Sequence, residues 1–557
     1  YRNRTPTAQW WRDNLDLESY FSYRTIVEGI HHYDIAGGKN YFYYHNPETD
    51  KFQVVPWDLD LTWANNMFGT GNHDFKTKVA QNPAFNTDYQ NRVREIMDLL
   101  YNDDQAHLVI DENVREVYTP GEPSLVGADR RLWDNNPRIT TKDRYYDVAP
   151  DNEFSGMVQL AKDYVVSRGN WMTNNLLTQE NQIPATPVIT FSGAAGYPAN
   201  DLQFDSSNYS SATSFEAMEW RVAEIYHPGL PHYVEGEPYL YEIENPGMSG
   251  RLESFVGSYR FPVTATRDGR FYRARVRHQD SAGRWSHWSA PLEFQVSAPD
   301  VGFYVENLRV SEIHYDPASA TAAEEASGWV TSDFEFVELH NPGSQTVDLT
   351  GVRFTKGIDF DFANATMLLP GGFIVVVKNL AAFESRYGNG KPVAGEWDSN
   401  DRLSSGENLK LSLGNGTAII EFVYGSDGLW PTEPNGGGYS LTMDRVDATL
   451  PTVHSDPLAW RASGVVGGSP GDDDQLDFET WAVSFGLVPG SLPTDDPDGD
   501  GLNNLLEYAL ASDPLKRSPG DGPVGLTGAC TVNEVWRTPA GIESQERWFM
   551  RLRVIHN

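Results

Sequence analysis

Apolar positions along this chain follow two periods in turn. Up to about residue 183 they recur at helical spacing. In "DYQNRVREIMDLLY" the stripe is Val93, Met97 and Leu100, and in "GMVQLAKDYVVSRGNWMTNNLL" it is Met157, Leu160, Tyr164 and Val165. One strand pair interrupts this block: "KNYFYYHNPETDKFQVVPWDLD" predicts a hairpin around an Asn-Pro-Glu-Thr-Asp turn. At "NQIPATPVITF" the prolines Pro184 and Pro187 mark a linker, and short alternating strands take over. A first β-block runs over 184–298, and a second, with turn signals at sandwich spacing, over 305–470. Within the second, "GGFIVVVK" predicts a short buried strand, while Glu338 and Asn341 fit strand-end capping and turn formation.

The helical period returns near the end. Phe478, Trp481, Ala482 and Phe485 share a face that stops at Gly486, and Leu505, Leu506, Ala509 and Leu510 open a second helix before Pro514. The last segment ends in "ERWFMRLRVIHN", an alternating stretch that predicts a final strand. The expected fold class is therefore multidomain. A mainly α block (1–183) precedes two β-sandwiches (184–298 and 305–470), a small helix-loop-helix (472–518) and a short β tail (519–557).

Length and charge narrow the setting. A chain of 557 residues is several domains long, three to five by ordinary domain size. Its 78 acids against 43 bases give a net charge of -35, which disfavours nucleic acid or an anionic membrane as partner and favours cations. The single cysteine, Cys530, excludes an intrachain disulfide framework and leaves the redox compartment open, a usage that disulfide-free exported bacterial proteins also fit. No apolar run reaches the 18 or so residues of a membrane span. The opening "YRNRTPTAQWW" has neither an initiator Met nor a leader pattern, so an N-terminally incomplete chain is expected.

"DPDGDGLNNLLE" fits the calcium-loop pattern D-x-[DN]-x-[DN]-G-x5-E without a mismatch. Calcium takes six to eight oxygens, which such a loop supplies from positions 1, 3, 5, 7, 9 and 12, with Gly at 6 making the turn. Asp496, Asp498 and Asp500 fill the first three, Gly501 the turn, Leu502 a backbone carbonyl, Asn504 a side chain or a water, and Glu507 a bidentate carboxylate. The alternative is an acidic, solvated linker, which needs neither the Gly nor the Glu. The unit resembles the single EF-hand-like modules of bacterial secreted proteins, and as a lone loop without a visible partner loop it predicts a structural site of millimolar affinity suited to an extracellular setting.

"VVPWDLD" poses a different question. Asp58 and Asp60, one residue apart at a predicted strand end, fit a solvated or capping pair, or a pair sharing a divalent metal for phosphoryl transfer. Upstream, "HHYDIAGGKN" adds Asp34 and, six residues later, Asn40. That is one residue longer than the kinase catalytic-loop spacing in which an Asp orients the hydroxyl and an Asn holds metal. His31 and His32, adjacent at a helix end, should face different directions, one packed and one exposed.

"YDIAGGKNYFYYHNPETDKFQVVPWDLDLTW" resembles the core of the CotH kinase family, atypical Ser/Thr kinases that use ATP. The resemblance implies Asp34 as the catalytic-loop acid, Asp58 as principal metal ligand, and Asp60 and Asn40 as supporting metal or phosphate contacts for Mg²⁺ or Mn²⁺ with ATP. It also implies that the two aspartates of "VVPWDLD" are buried against that metal nucleotide. It covers 1–183, the part corresponding to a C-terminal lobe. No Gly-rich phosphate loop with a following strand Lys precedes Asp34, and Lys39 lies inside the catalytic segment, so the chain as it stands is expected to be inactive.

The first β-block closes with "FYRARVRHQDSAGRWSHWSAPLEFQV". Arg273, Arg275 and Arg277 alternate along one strand face, and Trp285 and Trp288 are placed on the next strand. Guanidinium planes can interleave with indoles there, each contact worth about 0.5–2 kcal/mol. The Trp-Ser-x-Trp-Ser pattern resembles a fibronectin type III domain; the Arg ladder is read as structural, with a binding patch as the alternative. "LRVSEIHYDP", "EFVELHNPGSQTVDLTGVRF", "LLPGGFIVVVKN" and "SLTMDRVD" resemble successive strands of a lamin-tail domain, which implies binding or spacing. Two functions follow as expectations. One is an exported CotH-like kinase acting on a protein substrate. The other is a non-catalytic cell-surface or extracellular adhesion protein, stabilised by calcium, with a protein or polysaccharide ligand.

Overall fold

The computed structural model describes residues 5–36, 38–65, 71, 75–120, 123–133, 149, 151, 153–234, 236–398, 400–443, 453–474, 478–488, 490–499, 501–510, 514–516, 535–536 and 549–550. Cys530 and Asp500 lie outside these.

The N-terminal block begins with α1 (Ala8–Asn14) and α2 (Leu17–Gly29). Thr7 caps the first through the Trp10 N–H, and Asp16 the second through the Ser19 N–H, each satisfying one of the donors a helix start leaves open. The hairpin follows as β1 (Tyr41–Asn46) and β2 (Lys51–Pro56), antiparallel, with Tyr41 opposite Pro56 and Asn46 opposite Lys51. Then come α3 (Asn86–Leu99), α4 (Gln105–Val117), α5 (Leu125–Trp133) and α6 (Phe154–Leu176). Their core gathers Trp11, Tyr20, Phe21, Phe85, Tyr89, Val93, Ile96, Val165 and Met172. The stripe on α3 is thus Tyr89, Val93, Ile96 and Leu99. Met97 and Leu100 stand half-buried beside it, a correction to the expected stripe. On α6, Tyr164 and Val165 are buried as expected, while Met157 and Leu160 are half-buried.

The first β-block comprises β3 (Ile189–Phe191), β4 (Gln203–Ser206), β5 (Phe215–Glu224), β6 (Gly247–Met248), β7 (Ser258–Arg260), β8 (Phe271–Asp280) and β9 (Leu292–Gln295). They form a three-stranded sheet, β3-β4-β7, and a four-stranded sheet, β6-β5-β8-β9, over a core of Phe204, Met218, Trp220, Val276 and Phe294. Trp285 and Trp288 follow β8 in a loop, not a strand, apart from one bridge between Trp285 and Gln279. The Arg ladder divides its work. Arg277 lies 4.3 Å from the Trp285 ring and 4.4 Å from Trp288, whereas Arg273 and Arg275 pair with the fully buried Glu242.

This same surface docks the helical block. The Asn91 amide bonds the Gly283 carbonyl (2.8 Å) and the Trp285 N–H (3.0 Å), and Arg94 donates to the Trp285 carbonyl (3.1 Å). His287 bridges Asp98 (2.7 Å) and Glu180 (2.9 Å). Two carboxylates outweigh burial there and push the His287 imidazole up to about 9.

The second β-block follows a short α7 (Gly302–Asn307). Its elements are β10 (Arg309–His314), α8 (Ala322–Ala326), β11 (Phe336–His340), β12 (Val347–Asp348), β13 (Val352–Lys356), β14 (Phe360–Asp361), β15 (Met367–Leu368) and β16 (Phe373–Val377). After α9 (Leu380–Tyr387) come β17 (Val393–Glu396), β18 (Asn408–Leu413), β19 (Thr417–Val423), β20 (Leu441–Met443) and β21 (Trp460–Ala462). A six-stranded sheet, β17-β16-β11-β10-β20-β21, and a four-stranded sheet, β14-β13-β18-β19, enclose Val310, Leu339, Phe354, Leu411, Phe422 and Trp460. Asn341 makes the expected turn, accepting from the Gly343 N–H and donating to the Gln345 and Leu368 carbonyls. Glu338 does not cap a strand end: it lies within β11, fully buried.

Val263 and Asn415 join the two β-blocks, the Asn415 amide by donating to the Thr266 carbonyl. Val263 belongs to both cores, and its methyls lie where a Cβ on Gly351 or Gly414 would stand, at 2.5 and 2.7 Å. Both glycines have positive φ, so only glycine leaves the slot open without strain.

The chain continues into α10 (Phe478–Ser484) and α11 (Asn504–Leu510). They pack through Trp481, 5.4 Å from the Tyr508 ring, and Phe478, 5.7 Å from it. Two-residue strands at Val535–Trp536 and Phe549–Met550 pair in the tail; the rest of the expected final strand lies outside the described residues.

Candidate functional site

α2 ends at Gly29, and residues 30–36 and 38–40 lie between it and β1. Asp34 is half-buried in this turn, and the Asn40 amide donates to its carbonyl (2.8 Å) and to its carboxylate (3.3 Å). The Lys39 ammonium sits on the other carboxylate oxygen at 2.5 Å while more than half exposed. Beyond β2, the Trp57 N–H donates to the Asn40 carbonyl (3.1 Å), which ties the "PWDLD" segment to the Asp34 turn. Asp58 and Asp60 stand exposed past the strand end, so the implied burial of these two acids is corrected: they face solvent.

Asp34, Asp58 and Asp60 each act electrostatically on His32, which is wholly buried and next to the Asn40 backbone. Burial lowers the His32 pKa, and the three acids oppose that shift. His31 is buried as well, with Nδ1 2.5 Å from the Ala64 carbonyl, so the expectation of one packed and one exposed histidine fails. The reason is local. His31 has φ +57°, which breaks the helical stepping and turns both rings inward.

Among the described residues around this site, His31 is held at positive φ together with Asn40 (+61°), Asp58 (+54°) and Trp63 (+66°). Each such conformation costs on the order of 1–3 kcal/mol and persists only when the surroundings over-determine it. Here the surroundings are backbone ties, including the Trp63 N–H on the Ile30 carbonyl (2.8 Å).

Beneath lies a buried ionic cluster that sequence reading missed. Glu28 binds Arg24, Lys76 (3.2 Å) and the Tyr33 hydroxyl (2.6 Å), while Arg168 from α6 donates to the Glu28 carbonyl (2.7 Å) and to the Tyr33 hydroxyl (3.1 Å). Burial would raise the Glu28 pKa, but Arg24 and Lys76 hold it down at about 2. Only the i,i+4 spacing of Arg24 and Glu28 hinted at this pair.

The oxygens of Asp34, Asp58, Asp60 and Asn40 suit a hard ion such as Mg²⁺ or Mn²⁺. Over the hairpin beside them, Phe42, Tyr44, Val55 and Trp57 form an exposed aromatic and apolar face, with the Phe42 and Trp57 rings 5.6 Å apart.

The second candidate is the loop before α11. Both Asp496 carboxylate oxygens accept backbone N–H groups, from Gly499 (2.8 Å) and Gly501 (3.0 Å), and Gly501 takes φ +96°. Asn504 and Glu507 lie three apart on α11, and both are fully buried. The Asn504 amide donates to the Leu492 carbonyl (2.9 Å), and its Oδ1 has no hydrogen-bond partner among the described residues. An orphaned buried amide oxygen beside a buried carboxylate is a donor set that suits calcium. Asp498 and Leu502 are half-buried. Among the described residues, no group of three or more His, Cys, Asp or Glu side chains is placed to hold a metal.

Residues 2–120 match the family model of the CotH kinase protein, and residues 304–426 match that of the Lamin Tail Domain. No curated protein matches the chain. Among solved structures, a DUF4876 family protein from Bacteroides thetaiotaomicron is 12% identical over 44% of this chain and 70% of its own. Its TM-score of 0.13 carries no argument about fold. Among the described residues no helix is long and apolar enough to cross a membrane. The chain is modular, with a part similar to CotH kinases ahead of a lamin-tail part.

Proposed function

We propose that the N-terminal block is a CotH-like Ser/Thr kinase lobe within an exported protein. The observation that carries this reading is the tie between the Asp34 turn and the "PWDLD" segment, made by the Asn40 amide on Asp34 and the Trp57 N–H on the Asn40 carbonyl, on a backbone strained at Asn40 and Asp58. In such a lobe Asp34 would accept the hydrogen bond of the acceptor hydroxyl and orient it, while Lys39 and the Asn40 amide fix the carboxylate. Asp58 would be the principal metal ligand, with Asp60 and Asn40 in support. ATP with Mg²⁺ or Mn²⁺ would supply a charge-neutralised phosphoryl group. The accessory blocks would space and display the lobe, the first of them fibronectin type III-like and the helix-loop-helix a calcium-stabilised module working outside the cell.

The test is phosphotransfer from labelled ATP with Mg²⁺ or Mn²⁺, using the full natural-length chain beside Asp34→Ala and Asp58→Ala. Transfer lost in both variants supports the reading. A chain that neither transfers phosphate nor binds nucleotide rejects it. A second reading, a non-catalytic extracellular binding protein, is favoured by the exposed face of Phe42, Tyr44 and Trp57, which presents rings of the kind protein and polysaccharide ligands stack on.

A further inference from the structure

Two glutamates lie side by side in the dry interior of the lamin-tail part. Glu312 on β10 and Glu338 on β11 are directly opposed in register, and each is 1% exposed. Among the described residues neither has a cation against it. Their partners are instead hydroxyls and backbone N–H groups: Ser440 and the Ser469 N–H (3.0 Å) on Glu312, Ser311 (2.7 Å) and the Gly471 N–H (2.5 Å) on Glu338.

Both backbone donors come from one segment, residues 463–474, which leaves β21 and doubles back across the sheet. It is stitched down along its length. Its Ser463 N–H donates to the Ser440 carbonyl (3.0 Å), its Gly467 N–H to the Gly438 carbonyl (2.8 Å), and its Gly467 carbonyl accepts from the Tyr387 hydroxyl (2.9 Å). At Gly468, φ +77°, a Cβ would stand 2.0 Å from Glu312 Oε1, so the strap runs as close to the acid as a backbone can. It then leads into α10.

We propose that this strap is a pH-released clasp: it stays closed while Glu312 and Glu338 share at least one proton, and it lifts off the sheet when both ionise. One carboxylate is a strong acceptor for an N–H, but two charges side by side in a dry site repel and lack solvent. Burial raises both groups, Glu312 to about 8, and the nearness of Glu312 raises Glu338 further, so the two titrate as a pair. The other groups acting on the pair are Asp474 of the strap and Arg461 of β21, which oppose each other at Glu312, and Lys391 before β17, which lowers Glu338. Tyr387 of α9 faces Glu312 as well. Asp474 is anchored by Arg461, Ser469 and the Gly464 N–H, so opening the clasp unlocks both the strap and the start of the next module. The sign follows from the raised pKa values: clasp stability is full below the ordinary carboxyl range and falls as pH rises through about 8.

Hydrogen exchange of the full chain, read by mass spectrometry from pH 6 to 9.5 and corrected for intrinsic rate, tests the clasp. Peptides spanning 463–474 should lose protection by about tenfold per pH unit for each proton the closed pair still holds, a loss that levels off once both carboxyls have ionised, while β10 and β11 peptides hold theirs. In Glu338→Gln only Glu312 can release a proton, so strap protection should fall with pH about half as steeply, on a logarithmic scale, as in the native chain. Strap protection that is flat in the native chain overturns the proposal, as does an equal loss in native and E338Q proteins. The native profile decides even if E338Q does not fold.

Discussion

Replacing Glu28 by Gln is the sharpest test of how the candidate site is held. Glu28 is 2% exposed and sits among Arg24, Lys76 and Arg168, so the substitution keeps shape and removes the carboxylate charge that faces these buried cations. A carboxyl held at about 2 instead of its ordinary 4.5 corresponds to about 3 kcal/mol of folding free energy at neutral pH. Removing one partner of a buried ion pair typically costs about 3–5 kcal/mol, so the two routes agree. The block belongs to a multidomain chain, and a global unfolding curve would blend several transitions. Local hydrogen exchange is therefore the assay. At pH 7, peptides of α2 and α6 in E28Q should exchange about two to three powers of ten faster than in the native chain, with β18 and β19 peptides unchanged. The pH profile gives the second half. A depressed carboxyl pKa stabilises above about 4.5 and loses that contribution as pH falls through about 2, so the gap between native and variant should close on acidification. A difference under about 1 kcal/mol at pH 7, or a gap that persists at pH 2, would refute the cluster as the anchor of the Asp34 turn.

His287 carries a raised pKa, so the contact between α3 and the Trp285 loop should weaken as pH rises through about 9; H287Q should remove that dependence in exchange measurements on 283–288 peptides. Phe85→Ala empties a fully buried site in the helical core and should cost about 3–5 kcal/mol, read as a lowered transition for that block in calorimetry. Calcium titrated into the full chain should give a calorimetric signal at millimolar concentration that Glu507→Gln abolishes; no signal in the native chain would reject the calcium loop. Gly468→Ala should lower the thermal transition of the lamin-tail part, because the new methyl meets Glu312 Oε1 in a backbone region that disfavours side chains.

What could be read from the sequence was whatever lies within one local period or one turn. The hairpin was legible because Asn46 to Asp50 spell a turn between two aromatic strands, and β1 and β2 fall where that turn places them. Asn341 was legible for the same reason. The α3 stripe was off by one position because Ile96, Met97, Leu99 and Leu100 are all apolar, and only the facing helices select Ile96 and Leu99. The left-handed backbone at His31 and Asp58 left no mark, since both residue types tolerate ordinary conformations, and it is this turn that buries both histidines. Glu312 and Glu338 are 26 positions apart, and their opposition is a fact of strand register, which Glu338 alone could not announce.

The Val263 wedge has a consequence for how the chain can be divided. A cut near residue 300, where composition changes and a linker would be sought, separates a valine from the two-glycine slot that receives it. The excised lamin-tail part would carry an open notch at Gly351 and Gly414, and its neighbour a stranded apolar tooth, so each half alone would be a poorer specimen than the pair. The unit of laboratory dissection is accordingly the two β-blocks together, and a chimera that exchanged either one would have to bring the matching half of the joint with it.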